Sequence, residues 1–218
     1  MRIRRTFVAI TAASAVMAGL VACSVFGTQG QGDVRTESRT VPAFVRVAVD
    51  NGIRATIAVG PDASVQVKAQ PNILPLIATE VADGTLRVHA TGAFQTDVAV
   101  EVDISNPDLE FVSLGGGSHA AVTPGDVDSF QIALSGGSNM TATGTTSALA
   151  LQASGGSRAD LGALHAMHVA LDMSGGSNAT VSATGTVTGT ASGGSKATVL
   201  GGGAIDVEAT GGSSVTPG

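Results

Sequence analysis

Residues 135–160, SGGSNMTATGTTSALALQASGGSRAD, contain the unit that decides the fold. Gly-Gly-Ser opens this stretch after Ser135 and returns 19 residues later. Across the C-terminal half of the chain the motif occurs six times, at intervals of 18–20 residues. The glycine pairs are Gly116-Gly117, Gly136-Gly137, Gly155-Gly156, Gly175-Gly176, Gly193-Gly194 and Gly211-Gly212. A nearly fixed period is typical of repeat architectures, in which each unit packs against its neighbours.

Alternating apolar and polar residues flank each motif. Residues 149–153 (LALQA) precede one motif and residues 158–161 (RADL) follow it, with apolar side chains at every second position. A period of two predicts strands with one buried face. The abundant Gly, Thr, Ser and Val are poor helix formers. We therefore expect Leu151 and Leu171 to point inward and Thr141 to point outward.

The repeat length indicates which all-β architecture the strands form. Two or three short strands and their turns occupy 18–20 residues, about one coil of a parallel β-solenoid. Glycine suits the corners because it adopts positive φ without a Cβ clash. Short strands with regular turns also occur in β-sandwiches, the alternative architecture. The fixed period and the identical corners favour an all-β, parallel β-solenoid (β-helix) over residues 115–218, with Gly-Gly-Ser corners.

Residues 41–114 are rich in strands but lack the motif, and with 115–218 they form one predicted domain, 41–218. Asn51-Gly52 lies between two alternating runs and indicates a hairpin, since this dipeptide suits a tight two-residue turn. Asp83-Gly84 indicates a second turn, which leads into the alternating run Leu86/Val88. Residues 76–81, just after Pro75, are predicted to form a short helical turn.

The N-terminal segment is a predicted lipoprotein signal peptide over residues 1–22. Three arginines are followed by an uncharged apolar run that ends in Leu20-Val21-Ala22-Cys23. This tetrapeptide resembles the bacterial lipobox, whose cysteine is diacylated and becomes the new N-terminus. We expect acyl chains such as palmitate on Cys23, the only cysteine. The alternatives are an ordinary secretory signal and an uncleaved anchor helix.

Residues 23–40 are polar, rich in Gly and Gln and without periodicity, which predicts a flexible tether. The full chain has a net charge of −6, and loss of residues 1–22 leaves 8 basic against 17 acidic residues, or −9. Proteins that bind nucleic acids usually carry a basic patch, so this negative net charge argues against nucleic-acid binding. The sequence thus predicts an exported protein, lipid-anchored on the extracytoplasmic face of the membrane.

The chain resembles a known family across about residues 41–216. The resemblance rests on residues 47–88, VAVDNGIRATIAVGPDASVQVKAQPNILPLIATEVADGTLRV, on SLGGGS at 113–118 and on the later GGS corners. These are similar to the GIN domain, also called the auto-transporter adhesin head domain. The resemblance implies an all-β domain with a β-helix-like stack on exported bacterial proteins, often lipoproteins. The adhesin role that it implies rests on fold analogy.

Catalytic residues are sought first among carboxylates, because parallel β-helices include polysaccharide lyases and hydrolases. Glycosidases need two carboxyl groups facing each other at a defined separation. Nothing in the alignment of the repeats stacks the acidic residues into a column, and we expect each to be outward and solvated. The acidic residues of the repeats are Asp126, Asp128, Asp160, Asp172, Asp206 and Glu208. The chain also has no Trp or Tyr to stack on sugars.

Metal and cofactor sites are likewise not indicated. His165 and His168 lie three apart, which in a strand places them on opposite faces, and His119 follows a corner serine. We expect all three at the surface. The glycine corners lack the phosphate-binding loop pattern, and the serines lack a paired base. We predict no catalytic, cofactor-binding or metal-binding residues.

The sequence therefore predicts a non-enzymatic, lipid-anchored cell-envelope protein that acts as an adhesin or as a binding or structural module. The alternative is a carbohydrate-active β-helix enzyme acting on an envelope or extracellular polysaccharide. The expected partners are the membrane, through Cys23, and an envelope protein or polysaccharide, without nucleic acid. End-to-end homo-oligomers are a further expectation, because no polar capping segment follows the corner at 211–213.

Overall fold

A computed structural model of the chain describes residues 27–218, which are almost entirely β-strand. They form a β-solenoid of about five turns. Cys23 and the predicted signal peptide lie outside the described residues. Within residues 27–218 there is no helix long and apolar enough to cross a membrane.

Ten of the described strands and one 3₁₀ turn precede the first Gly-Gly-Ser corner. They are β1 (Thr28–Gln29), β2 (Arg35–Arg39), β3 (Arg46–Val49), β4 (Arg54–Val59), β5 (Ser64–Ala69), the 3₁₀ turn (Leu74–Leu76), β6 (Ile77–Ala82), β7 (Thr85–Ala90), β8 (Phe94–Gln95), β9 (Glu101–Asn106) and β10 (Phe111–Leu114). The strands of the repeats are β11 (His119–Thr123), β12 (Asp126–Leu134), β13 (Asn139–Ala153), β14 (Arg158–Met173), β15 (Asn178–Ala191), β16 (Lys196–Leu200), β17 (Ala204–Ala209) and β18 (Ser214–Pro217).

The repeats pair in parallel and in register, as the sequence predicts for a solenoid. On one side of the corners β4, β11, β13, β14, β15, β16 and β18 are successive neighbours. We call this the post-corner face, because its strands follow the corners. On the other side, the pre-corner face consists of β3, β10, β12, β13, β14, β15 and β17. The long strands β13–β15 contribute to both faces, and their pairing registers shift midway.

The corner glycines have the backbone conformation that the sequence predicts. Gly155 has φ of +64° and Gly156 of +77°, the left-handed region that disfavours residues with a Cβ. Asn51 and Gly52 have nearly the same values, +65° and +73°. They form the first corner of the same column.

The predicted Asn51-Gly52 hairpin is therefore wrong. β3 pairs with β7 and β10, while β4 pairs with β9 and β11, so the two strands that the turn joins are not neighbours. Two successive residues with positive φ suit a hairpin turn and a solenoid corner equally. The pairing partners available to each strand decide between them.

Two other turns in residues 41–114 have different outcomes. Asp83-Gly84 joins β6 and β7 as an antiparallel hairpin, which confirms the predicted turn. The helical turn expected over 76–81 is wrong, since the 3₁₀ turn ends at Leu76 and the following residues form β6. Ile77 is 1% exposed and its strand pairs with β7, so the extended form buries this side chain and satisfies the backbone.

Part of the predicted tether, residues 23–40, is also structured. β1 pairs with β8, and β2 pairs antiparallel with β5. The segment RTESR of β2 is polar on both faces, so it has no apolar alternation to signal a strand. Main-chain bonds hold it, together with Arg39 Nη2, which donates to the Leu74 carbonyl at 3.0 Å. A charged edge strand of this kind discourages further pairing.

One hydrophobic cluster runs through the described residues from Phe44 to Val199. Leu151 is 1% and Leu171 2% exposed, while Thr141 is exposed, which confirms the predicted faces. The alternation that defines the strands thus also defines the core.

Candidate binding face

The serine that follows each of the first five glycine pairs points into the core, while Ser213 after the last pair is half-buried. Ser118, Ser138, Ser157, Ser177 and Ser195 are all fully buried. Ser177 Oγ donates to the Ala153 carbonyl of the preceding coil at 2.9 Å, and Ser138 Oγ to the Leu114 carbonyl at 3.1 Å. Buried hydroxyls bonded to main-chain carbonyls serve the corner itself, and their position prevents contact with an external ligand.

The six acidic residues of the repeats are exposed, as expected, but two of them stack in a way that the repeat alignment does not indicate. Asp172 and Glu208 both pair with Thr190, so they occupy one column of the pre-corner face. Two strand steps, about 10 Å, separate them. Glu208 lies outside the depression of about 390 Å³ that Asp172 lines.

Another carboxylate, Asp50, lines the same depression as Asp172. Asp50 belongs to the coil of β3 and Asp172 to that of β14, four strand steps away. That separation is about 19 Å, well beyond the roughly 6.5–9.5 Å between the carboxyls of an inverting glycosidase. Asp50 and Asp172 are therefore too far apart to act as such a pair, while Asp108, Glu110, Asp126 and Asp128 line a separate depression of about 550 Å³.

The three histidines of the repeats are exposed, as predicted, and each contacts the next strand. His119 Nε2 lies 3.0 Å from Asn139 Nδ2, His165 Nδ1 3.1 Å from Ser182 Oγ, and His168 Nδ1 2.9 Å from Thr186 Oγ1. No group of three metal-ligating side chains occurs within residues 27–218. These histidines therefore belong to hydrogen-bonded rows along the solenoid.

One such row carries cations on the post-corner face. At the first strand position after the corners the register aligns a row that is bounded by Glu101 on β9 and by Ser214 after the last corner, and we call the six residues between them the basic column. They are Arg54, His119, Asn139, Arg158, Asn178 and Lys196. Asn139 is half-buried and the others are exposed. The sequence does signal this row, because each member directly follows a corner, but Arg54 stands outside the repeat period.

The cations of the basic column have no acidic partner in the described part of the chain. In that part, two ion pairs have a nitrogen–oxygen distance within 4.0 Å, namely Arg39–Glu37 at 3.4 Å and Lys68–Asp103 at 2.5 Å. The hydrogen bond with Asp103, together with its charge, raises the pKa of Lys68, which keeps that pair ionised and mutually neutralised. Arg54, Arg158 and Lys196 form no such pair, although Glu101 on β9 is the register neighbour of Arg54 and Asp160 lies near Arg158.

Two adjoining depressions follow the basic column. One, of about 520 Å³, is lined by Arg54, His119, Asn139 and Arg158 among others. The other, of about 270 Å³, is lined by Arg158, Lys196 and their neighbours. Arg158 and Asp160 contribute to both, so the depressions form one shallow track along the solenoid axis.

A family model described as "putative auto-transporter adhesin, head GIN domain" matches residues 43–203. The chain belongs to this GIN-domain family. The resemblance inferred from the sequence is thus confirmed, and the match spans both the N-terminal strands and the repeats. No curated protein matches the chain.

Solved structures share this GIN-domain fold. A putative adhesin from Bacteroides fragilis is 18% identical with a TM-score of 0.69, over 88% of this chain and 100% of that one. A putative adhesin from Parabacteroides merdae is 17% identical with a TM-score of 0.59, over 88% and 98%. A putative lipid binding protein from Parabacteroides distasonis is 13% identical with a TM-score of 0.56, over 87% and 98%. Because these sequence identities are low, the similarity shows a shared fold alone.

Proposed function

We propose that this GIN domain is a non-enzymatic binding module of the bacterial cell envelope with an adhesin-like role. The observation that carries the proposal is the post-corner face, an exposed polar surface on a rigid solenoid. Beside the basic column runs a second column that contains Thr141, Asp160, Thr180 and Thr198. Hydroxyl, amide and guanidinium groups in fixed rows suit the recognition of an extended polar ligand.

Lipid anchoring at Cys23 is the second part of the proposal. The basic start, the apolar run and the lipobox-like ending of residues 1–23 support it. Two acyl chains supply stable membrane attachment, where a single chain is marginal. Only residues 24–27 separate Cys23 from β1, a reach of at most about 18 Å. The anchor would therefore hold the N-terminal end of the solenoid near the membrane and leave the later coils accessible.

The proposed role can be tested on cells that carry the wild-type chain, the Cys23→Ser variant or no chain. Cells are washed over a surface coated with envelope and extracellular polysaccharide, and the attached fraction is counted. We expect attachment in the order wild type, then Cys23→Ser, then deletion. Equal attachment of all three would contradict an adhesive role. Release of reducing ends from the coating by purified protein would instead favour the carbohydrate-active enzyme.

We also propose that two copies associate through the C-terminal end of the solenoid. Among the described strands, β17 pairs only with β15 and β18 only with β16. Their outer edges leave main-chain groups available for pairing. Ile205, Val207 and Val215 are only half-buried there. A second copy of this end would cover these side chains and satisfy the open edges.

A further inference from the structure

We propose that the basic column binds a linear acidic polysaccharide that lies along the solenoid axis. This inference rests on the proposed function and specifies the ligand class of that same face. It starts from three cations in one straight row, Arg54, Arg158 and Lys196, none of which forms an ion pair within 4.0 Å in the described residues. The shallow track that joins them offers an extended ligand continuous contact.

The spacing of the cations suits a polymer whose charges are separated. Neighbouring strands are about 4.8 Å apart, so Arg54 and Arg158, three strand steps apart, are separated by about 14 Å. Arg158 and Lys196 are two steps apart, or about 10 Å. A polyuronate has carboxylates separated by whole sugar rings, so it can place one at each cation. Guanidinium groups bind carboxylates with two parallel hydrogen bonds.

The residues between the cations are suited to sugar hydroxyls. His119, Asn139 and Asn178 occupy the intervening positions of the basic column. Asn side chains both donate and accept hydrogen bonds, as hydroxyl groups do. Thr180 and the carboxylate of Asp160 border the track and add further acceptors. The row therefore alternates groups that recognise charge with groups that recognise neutral polar atoms.

The distribution of charge over the domain directs an anionic polymer to this face. Arg158 and Lys196 are the only arginine or lysine residues in positions 115–218, and both lie in the basic column. In positions 115–218 the pre-corner face instead carries Asp172, Asp206 and Glu208, and the cation of this face, Arg46, lies on its N-terminal strand β3. A polyanion is repelled from that side and attracted to the other, although the chain as a whole is acidic.

The same features disfavour other anionic partners. DNA carries a charge about every 1.7 Å, and Asp160, which lines the track, would repel so dense a polyanion. Single-stranded nucleic acids also need aromatic platforms for their bases, and the chain has no Trp or Tyr. An anionic membrane is bound most firmly by a surface that also inserts large apolar side chains, and the two columns of the post-corner face hold no apolar side chain larger than that of Ala121.

The decisive experiment measures binding of the purified full-length protein to polygalacturonate by fluorescence anisotropy. The test variant is Arg158→Gln/Lys196→Gln. The matched control is Arg46→Gln/Arg87→Gln, which removes the same two charges from exposed positions on β3 and β7. Because all these side chains are exposed, both variants should retain the wild-type melting temperature, and near-ultraviolet circular dichroism verifies folding. We expect about tenfold or greater weakening in the test variant and little change in the control.

Binding to three further ligands tests whether the protein recognises polysaccharide carboxylates rather than other anions. Fully methyl-esterified polygalacturonate should lose binding, because the ester removes the carboxylate charge. Polythymidine and phosphatidylglycerol vesicles should bind more weakly than polygalacturonate. Three outcomes would overturn the inference. Polythymidine or the vesicles could bind as tightly as polygalacturonate, or the test and control variants could weaken binding equally. Polygalacturonate could also fail to bind at about 50 mM salt. Cell attachment that persists despite such a result would leave the proposed adhesive function intact with another ligand.

Discussion

Gly116 stacks directly on Asn51: a Cβ at Gly116 would lie 3.0 Å from the main-chain nitrogen of Asn51. The same relationship recurs along the column, for example between Gly155 and the nitrogen of Gly136, also at 3.0 Å. Asn51 itself has a side chain, and its Oδ1 accepts a hydrogen bond from the Ala90 nitrogen at 3.2 Å. It is the first corner of the column, with no earlier corner beneath it. The first position of each later corner must therefore be glycine for lack of space as well as for its φ.

This stacking predicts unequal effects for the two glycines of one corner. Asn tolerates positive φ better than most residues, so Gly155→Asn and Gly156→Asn carry similar backbone strain. A Cβ at Gly156 meets no atom within 4 Å, whereas one at Gly155 presses on Gly136. We expect Gly155→Asn to lose about 1–3 kcal/mol more, as overpacked sites do. Urea denaturation measures the difference, and equal losses would mean that close approach does not explain the first glycine.

The assignment of faces predicts a second contrast. Leu151 is 1% exposed, so Leu151→Ala should lower the free energy of unfolding by ~2–5 kcal/mol, the usual range for a core leucine. Thr141 is exposed on the post-corner face, and Thr141→Ala should stay within about 0.5 kcal/mol of wild type. The midpoints and slopes of denaturation curves measure the stability of the two variants. Matching curves for both variants would refute the orientation of β13.

The local pattern of residues predicts the repeats well because one repeat contains all the information that its strands need. Alternation places Leu151 and Leu171 inside, and the paired glycines mark the corners. The same approach fails for Asn51, since a hairpin turn and a solenoid corner share dihedral angles and differ only in distant partners. The sequence does not predict β2 for a related reason. Its segment RTESR contains no alternating apolar residues, and its strand structure depends on pairing with the distant β5.

The basic column shows a further limit of prediction from the sequence. Residues 53–114 separate the first two corners, several times the 18–20-residue period, because β5–β9 are inserted there. Arg54 therefore cannot be aligned with the later members by counting residues. Its place beside His119 follows from the parallel pairing of β4 with β11, which only the folded chain shows.

The buried corner serines predict a third contrast between identical substitutions. Ser177 Oγ donates to main-chain carbonyls, so Ser177→Ala should lose about 0.5–1.5 kcal/mol. Ser118 Oγ is fully buried without a hydrogen-bond partner in the described residues, a cost that alanine removes. We expect Ser118→Ala to be neutral or slightly stabilising. Thermal denaturation of both variants provides the comparison, and equal destabilisation would show that the Ser118 hydroxyl is bonded after all.

The proposed anchor predicts a change in processing. Cys23→Ser should leave an uncleaved precursor or a protein shed from the membrane, because serine cannot carry the thioether-linked lipid. Mass spectrometry of the mature protein and partition into detergent report the two outcomes. Wild-type mass together with unchanged partition would refute acylation at Cys23.

The proposed end-to-end association predicts a concentration-dependent mass. The N-terminal end of the solenoid finishes in the antiparallel strands β2 and β6, and β2 carries charges along its edge. The outer edges of β17 and β18 are the less protected ones, so two copies should meet there across a two-fold axis. Asp206 and Glu208 lie on β17 and would face the same residues of the second copy. Such repulsion between like charges is screened by salt.

We therefore expect sedimentation velocity of the full-length protein to show more dimer at about 0.5 M than at 0.05 M salt, opposite to the salt dependence of polysaccharide binding. The variant Val207→Lys/Val215→Lys should stay monomeric, because it adds four charges to a dimer interface and removes its apolar contacts. Arg46→Gln/Arg87→Gln, at the other end of the solenoid, serves as the control and should dimerise as wild type does. A wild-type monomer at every concentration, with slow amide exchange through residues 205–216, would show that this edge is stable without a partner.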